Sequence, residues 1–119
     1  MKKVLAVLMC LGCVACGDDS SSSSNNTTNN STDRATTIAG LTADVAAGMA
    51  QYETTCAVCH GADGKGTAAG NDLSASTMDK ATIIGVLLNG IPATSMVAYA
   101  SFTDQQLADL TAYTLQFQQ

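Results

Sequence analysis

The residues best suited to chemistry in this 119-residue chain are two cysteines and its single histidine, which stand together as Cys56-Ala57-Val58-Cys59-His60. Two thiols separated by two residues and followed at once by an imidazole can serve a zinc site, a dithiol redox centre, a local disulfide or the covalent attachment of haem. A zinc site would need a second ligand pair, and no Cys or His follows His60. A dithiol redox motif is expected after a strand in a βαβ setting, whereas this one follows a helical pattern. A disulfide between Cys56 and Cys59 would leave the only His of the chain unexplained. Haem attachment uses every residue of the motif. Two thiols on one tight turn reach the two vinyl groups of a porphyrin as thioethers, and the adjacent imidazole of His60 is placed to donate an axial nitrogen to the iron.

The opposite axial position calls for a second donor. Thioether sulfur is soft and favours ferrous iron, so a Met facing a His raises the reduction potential and suits a group that cycles between oxidation states. Met49, Met78 and Met96 are available. Met49 lies on the helix leading into the motif and reads as packing, and Met78 sits near the start of the next helical pattern. Met96 ends the irregular stretch 91–96, where backbone freedom can aim a side chain at the iron. Met96 is the expected ligand, with Met78 or a differently ligated iron as alternatives.

The pattern extends well beyond the motif. Gly48, Tyr52, Cys56, Cys59, His60, Gly61, Gly64 and Gly66 stand as G-x3-Y-x3-C-x2-C-H-G-x2-G-x-G. This resembles the opening of the small bacterial class I cytochromes c, and the similarity continues through Leu73, Asn89-Gly90, Met96 and a final helix bearing Tyr113. The resemblance implies an all-α, small cytochrome c fold: three to four helices around one covalently bound haem c, with Met96 at the family's ligand position and Tyr113 packing where the last helix crosses the first. Two departures are visible. Val97 follows Met96 where the family usually has Pro, and Asn71 precedes Leu73 where a Pro is common. In the family a carbonyl of that loop accepts a hydrogen bond from Nδ1–H of the axial His and so fixes its tautomer; Asn71 can still offer its carbonyl. The glycines suit a chain that wraps closely round a flat macrocycle, with positive-φ turns and no Cβ in the way.

Helices must position these groups. The first is expected at about 43–55, with Thr42 as N-cap and Asp44 in the first turn, where the helix dipole favours an anion. The second is expected at about 79–89, with Ser76 or Thr77 as cap, apolar Ile83, Ile84, Leu87 and Leu88, and Gly90 as the stop. The last carries a full start signal: Thr103 as N-cap, Gln106 as capping-box partner, and Phe102 with Leu107 as hydrophobic staple. Leu107, Leu110, Thr114 and Phe117 then recur at helical spacing.

The N-terminus reads as targeting. Lys2 and Lys3 precede an apolar run at 4–11 that is too short to span a bilayer but right for an export signal. Cys10, Cys13 and Cys16 lie inside or at the edge of that segment, and no fourth ligand follows at iron–sulfur spacing. Val14-Ala15-Cys16 resembles a bacterial lipobox, with cleavage before Cys16 and lipid on its thiol, and Gly17-Asp18-Asp19 turns polar at once. Cleavage before Cys13 and an ordinary secretory signal without lipid are the alternatives. Residues 17–34 hold no large apolar side chain to offset the entropy of ordering. The chain therefore divides into a lipoprotein signal peptide at 1–15, a lipid-anchored Ser/Asn/Thr-rich disordered tether at 16–37 and a cytochrome c domain at 38–119.

Ten acidic residues oppose five basic ones, a balance that argues against nucleic acid as a partner. Removal of Lys2 and Lys3 would leave only Arg34, Lys65 and Lys80 as cations. The chain has no Trp, 3 Tyr and 2 Phe, a thin basis for a core in so small a domain, and a covalent porphyrin would supply the missing flat bulk. The expectation is a membrane-anchored monohaem carrier of single electrons, not an enzyme, exported to the periplasmic side of a bacterial membrane in a respiratory or other periplasmic electron-transfer chain. It would be a monomer that docks on redox proteins through a basic patch of theirs. The alternatives are a haem-binding sensor, a cytochrome subunit of a redox enzyme complex, and a non-haem lipoprotein with a structural disulfide.

Overall fold

The computed structural model describes residues 27–119, so the signal peptide, Cys16 and the first part of the tether lie outside the described residues. Among the described residues stand five helices: α1 (Thr27–Gly40), α2 (Val45–Thr55), α3 (Ala57–His60), α4 (Lys80–Asn89) and α5 (Asp104–Gln116). The only pairing of extended chain described is an isolated bridge between Thr67 and Gly70. The all-α class holds, and the helices beyond the three to four expected are α1 and the one-turn α3.

α1 corrects the tether, because residues 27–37 are helical rather than disordered. Composition hid this helix, since its stability is tertiary. Ile38 is 1% exposed and belongs to the core, with Ala35 and Ala39 packed against it. The Arg34 guanidinium reaches across to the start of α5, and the Lys80 ammonium donates to the Ala39 carbonyl at 3.1 Å.

Two caps also differ from expectation. Asp44, not Thr42, caps α2, its carboxylate accepting from the N–H groups of Ala46 and Ala47 at 2.9 and 3.2 Å. Asp79, not Ser76 or Thr77, caps α4 by accepting from Thr82 N–H at 2.7 Å. A carboxylate accepts only and complements the positive helix end, so each Asp one step before the first helical residue outcompetes the hydroxyls upstream. Hydrogen bonds from Thr82 hold the Asp79 carboxyl below the usual carboxylate range. The Thr103–Gln106 capping box of α5 is present as read from the sequence.

α2 and α5 pack most closely at Gly48, where a Cβ would lie 2.1 Å from the Asp109 carbonyl oxygen. Beside this contact the buried Asp109 carboxylate accepts from Asp44 N–H and from the Gln105 amide, both at 2.7 Å. Tyr52, Tyr113 and Phe117 fill the adjoining space with ring centroids 5.1–5.3 Å apart.

Gly48 and Gly85, inside α2 and α4, should therefore respond oppositely to a methyl group. Gly48→Ala should lower stability by about 1–3 kcal/mol, because backbone must move apart. Gly85→Ala, on α4 with nothing within 4 Å of the added Cβ, should raise it by about 0.5–1 kcal/mol through helix propensity. Denaturant unfolding measures both, and a tolerated Gly48→Ala would contradict the close contact.

Candidate haem site

α2 delivers Cys56 into the site and stops there. Cys56 caps the C-terminus of α2 and the N-terminus of α3 at once. Its carbonyl accepts from Cys59 N–H at 3.1 Å and His60 N–H at 2.9 Å, so residues 56–60 form one tight turn. Burial, and then the neighbouring Cys59, push the Cys56 thiol up to about 11. Burial likewise pushes the Tyr52 hydroxyl up to about 12, and Tyr52 donates to the Gly61 carbonyl at 2.8 Å.

Cys56, Cys59, His60 and Met96 line one cavity of about 590 Å³, within the range of small-molecule and cofactor sites. Leu73, Ile83 and Leu87 supply apolar wall. Of the three Met candidates, Met78 also lines it and Met49 does not. Met49 is 42% exposed on α2, so its reading as packing does not hold. Met78 is equally exposed, whereas Met96 is half-buried and packs on the core.

The His60 tautomer follows from its partner. Nδ1 lies 2.8 Å from the backbone carbonyl of Asn71; a carbonyl only accepts, so Nδ1 carries the proton and the Nε2 lone pair is left for a metal. The acceptor is main chain, so Asn71 supplies it independently of its side chain. The loop that brings Asn71 round is bonded back onto the motif. Gly66 N–H donates to the His60 carbonyl at 2.7 Å and the Thr67 hydroxyl to the Cys59 carbonyl at 2.6 Å. Gly61, Gly64 and Gly66 take φ of 78°, 70° and 83°, and a Cβ on Gly64 would strike the Phe117 ring at 2.6 Å.

Met96 is presented by a second tight loop. Gly90 has φ 66°, and a Cβ there would lie 2.7 Å from the Met96 carbonyl oxygen. Ile91 N–H donates to that carbonyl at 2.9 Å, and the Thr94 hydroxyl accepts from Met96 N–H at 3.1 Å while donating to the Ile91 carbonyl at 2.8 Å. Tyr99 also lines the cavity, which the sequence did not single out because an irregular segment has no periodicity to give its direction. Burial, then the nearby Cys56 and Cys59, raise its hydroxyl above the ordinary tyrosine value.

The donor set fits an iron porphyrin. Two thiols, an imidazole with Nε2 free and a thioether meet at one mainly apolar cavity, with hydroxyl and amide groups such as Ser76, Thr94 and Gln118 in its lining. Among the described residues no group of three or more His, Cys, Asp or Glu side chains is placed to hold a bare metal ion.

Comparison with protein families gives one match: the model described as Cytochrome C oxidase, cbb3-type, subunit III covers residues 43–113. No curated protein and no solved structure matches the chain. The matched segment runs from the Asp44 cap of α2 to Tyr113 on α5, contains Cys56, Cys59, His60 and Met96, and leaves α1 outside. Because the match takes in more than half of the sequence, the chain belongs to this family of c-type cytochrome domains and is a haem-binding protein of electron transfer.

Proposed function

We propose that the protein is a monohaem carrier of single electrons, held by lipid on Cys16 at the periplasmic side of a bacterial membrane and serving a respiratory or other periplasmic chain. The observation that supports it most is the convergence of Cys56, Cys59, His60 and Met96 on one cavity, with Nδ1 of His60 already engaged by the Asn71 carbonyl. Cys56 and Cys59 would hold the group through thioethers, and His60 Nε2 and the Met96 sulfur would ligate its iron. Haem, when bound, supplies a one-electron iron couple. The Asn71 carbonyl orients the imidazole, and the thioether of Met96 would favour the reduced state. With His60 and Met96 both ligating the iron, the chain would leave no position for substrate, which favours a carrier over an enzyme.

Partner choice follows from charge. Two of the cations, Arg34 and Lys80, are engaged within the domain, by the Asp104 carboxylate and the Ala39 carbonyl. The balance of 10 acidic to 5 basic residues in the chain suits a basic patch on a redox partner. The second reading is a cytochrome subunit of a redox enzyme complex, favoured by the description that the matching family carries.

Haem staining after denaturing electrophoresis should mark the wild-type band and vanish in Cys56→Ala or Cys59→Ala; an unstained wild-type band would exclude covalent haem. In the ferric protein the weak far-red sulfur-to-iron absorption should be lost in Met96→Ala, which then binds carbon monoxide readily when reduced, and kept in Met78→Ala. Labelled fatty acid should be incorporated by the wild type and by Cys13→Ala but not by Cys16→Ala, which should leave the membrane fraction. Association with a basic redox protein should slow as ionic strength rises, and a salt-independent rate would sink the acidic docking surface.

A further inference from the structure

α1 lies outside the family match, yet its Arg34 grips the segment that continues from Met96 into α5. Nε donates to the Asp104 carboxylate at 2.7 Å, Nη1 to the Ala100 carbonyl at 2.7 Å and Nη2 to the Phe102 carbonyl at 2.6 Å. Those two carbonyls lie in the irregular stretch 97–102, where Val97 is exposed and the other main-chain hydrogen bonds run from Tyr99 N–H to the Leu87 carbonyl at 2.7 Å and from Phe102 N–H to the Tyr99 carbonyl at 3.0 Å. Met96 is thus held from its N-terminal side by the loop at Gly90 and from its C-terminal side by this stretch. The planar guanidinium has its donors fixed in a fork, so one side chain can bind two carbonyls and a carboxylate at once and lock their spacing, which an ammonium cannot do. Ile38, buried in the core, and the Lys80 bond to the Ala39 carbonyl set where α1 sits and therefore where the fork arrives.

We propose that Arg34 is a positioning residue for the Met96 wall of the haem site: by bracing the segment around Ala100 and Phe102 it sets how readily Met96 gives up the iron. This rests on the reading of Met96 as the axial ligand. Arg34 touches neither the cavity nor Met96 itself and acts through the main chain between them.

The test is an imidazole titration of the full-length, haem-loaded ferric protein, read by loss of the far-red sulfur-to-iron band. Arg34→Ala should keep its haem and lower the apparent Kd for imidazole roughly tenfold, the change expected when about one net hydrogen-bond energy no longer holds the loop shut. Arg34→Lys, which retains the charge but not the fork, should fail to restore the wild-type value. Ile38→Val loosens the seat of α1 without removing a bond to the loop, so it should lower the melting temperature while leaving the imidazole affinity at the wild-type level. An unchanged affinity in Arg34→Ala, a full rescue by Arg34→Lys, or an equal shift in Ile38→Val would overturn the positioning role alone. A far-red band that persists in Met96→Ala would overturn the Met96 assignment and this inference with it.

Discussion

Everything in this domain hangs on the place where α2 and α5 meet with no side chain between them. A Cβ at Gly48 would fall inside the main chain of Asp109, so the two helices pack backbone to backbone, and α2 has a single direction in which to end. Its end is Cys56, and the turn that follows carries the second thiol and the imidazole. The aromatic cluster propagates the constraint. Tyr52 and Tyr113 close the crossing, Phe117 covers Gly64, and the Tyr52 hydroxyl holds the Gly61 carbonyl. Five aromatic residues in the whole chain suffice because three of them stand together at this junction.

The donors at the cavity are aimed by main-chain bonds more than by neighbouring side chains. His60 is oriented by the carbonyl of residue 71, and Met96 is presented by a loop that closes on its own carbonyl at Gly90. Such sites tolerate changes of side chain in their loops so long as the φ angles survive. Asn71 therefore serves through its carbonyl whatever its side chain, and the burden falls on the positive-φ glycines, where a Cβ would be strained.

Charge is divided in the same economical way. Arg34 and Lys80 bind a carboxylate and main-chain carbonyls, and both of these contacts fasten α1 to the rest of the domain. These interactions fold the N-terminal helix onto the core.

The sequence by itself determined the chemistry: Cys56, Cys59 and His60 are adjacent, so their spacing needs no tertiary information, and the capping box of α5 and the Gly90 stop are equally local. Helix starts were less legible where hydroxyls and carboxylates competed, as at Thr42 against Asp44, because the winner depends on which residue the turn leaves facing the free N–H groups. Only the tertiary structure decided that residues 27–37 form a helix, since a Ser/Asn/Thr-rich segment has no apolar periodicity and is ordered by bonds to residues some seventy positions away. It likewise separated Met49 from the cavity and brought Met96, Met78 and Tyr99 to it. Local spacing fixes what a short motif can bind; which distant side chains surround it is set by packing, and packing leaves no period in an irregular loop.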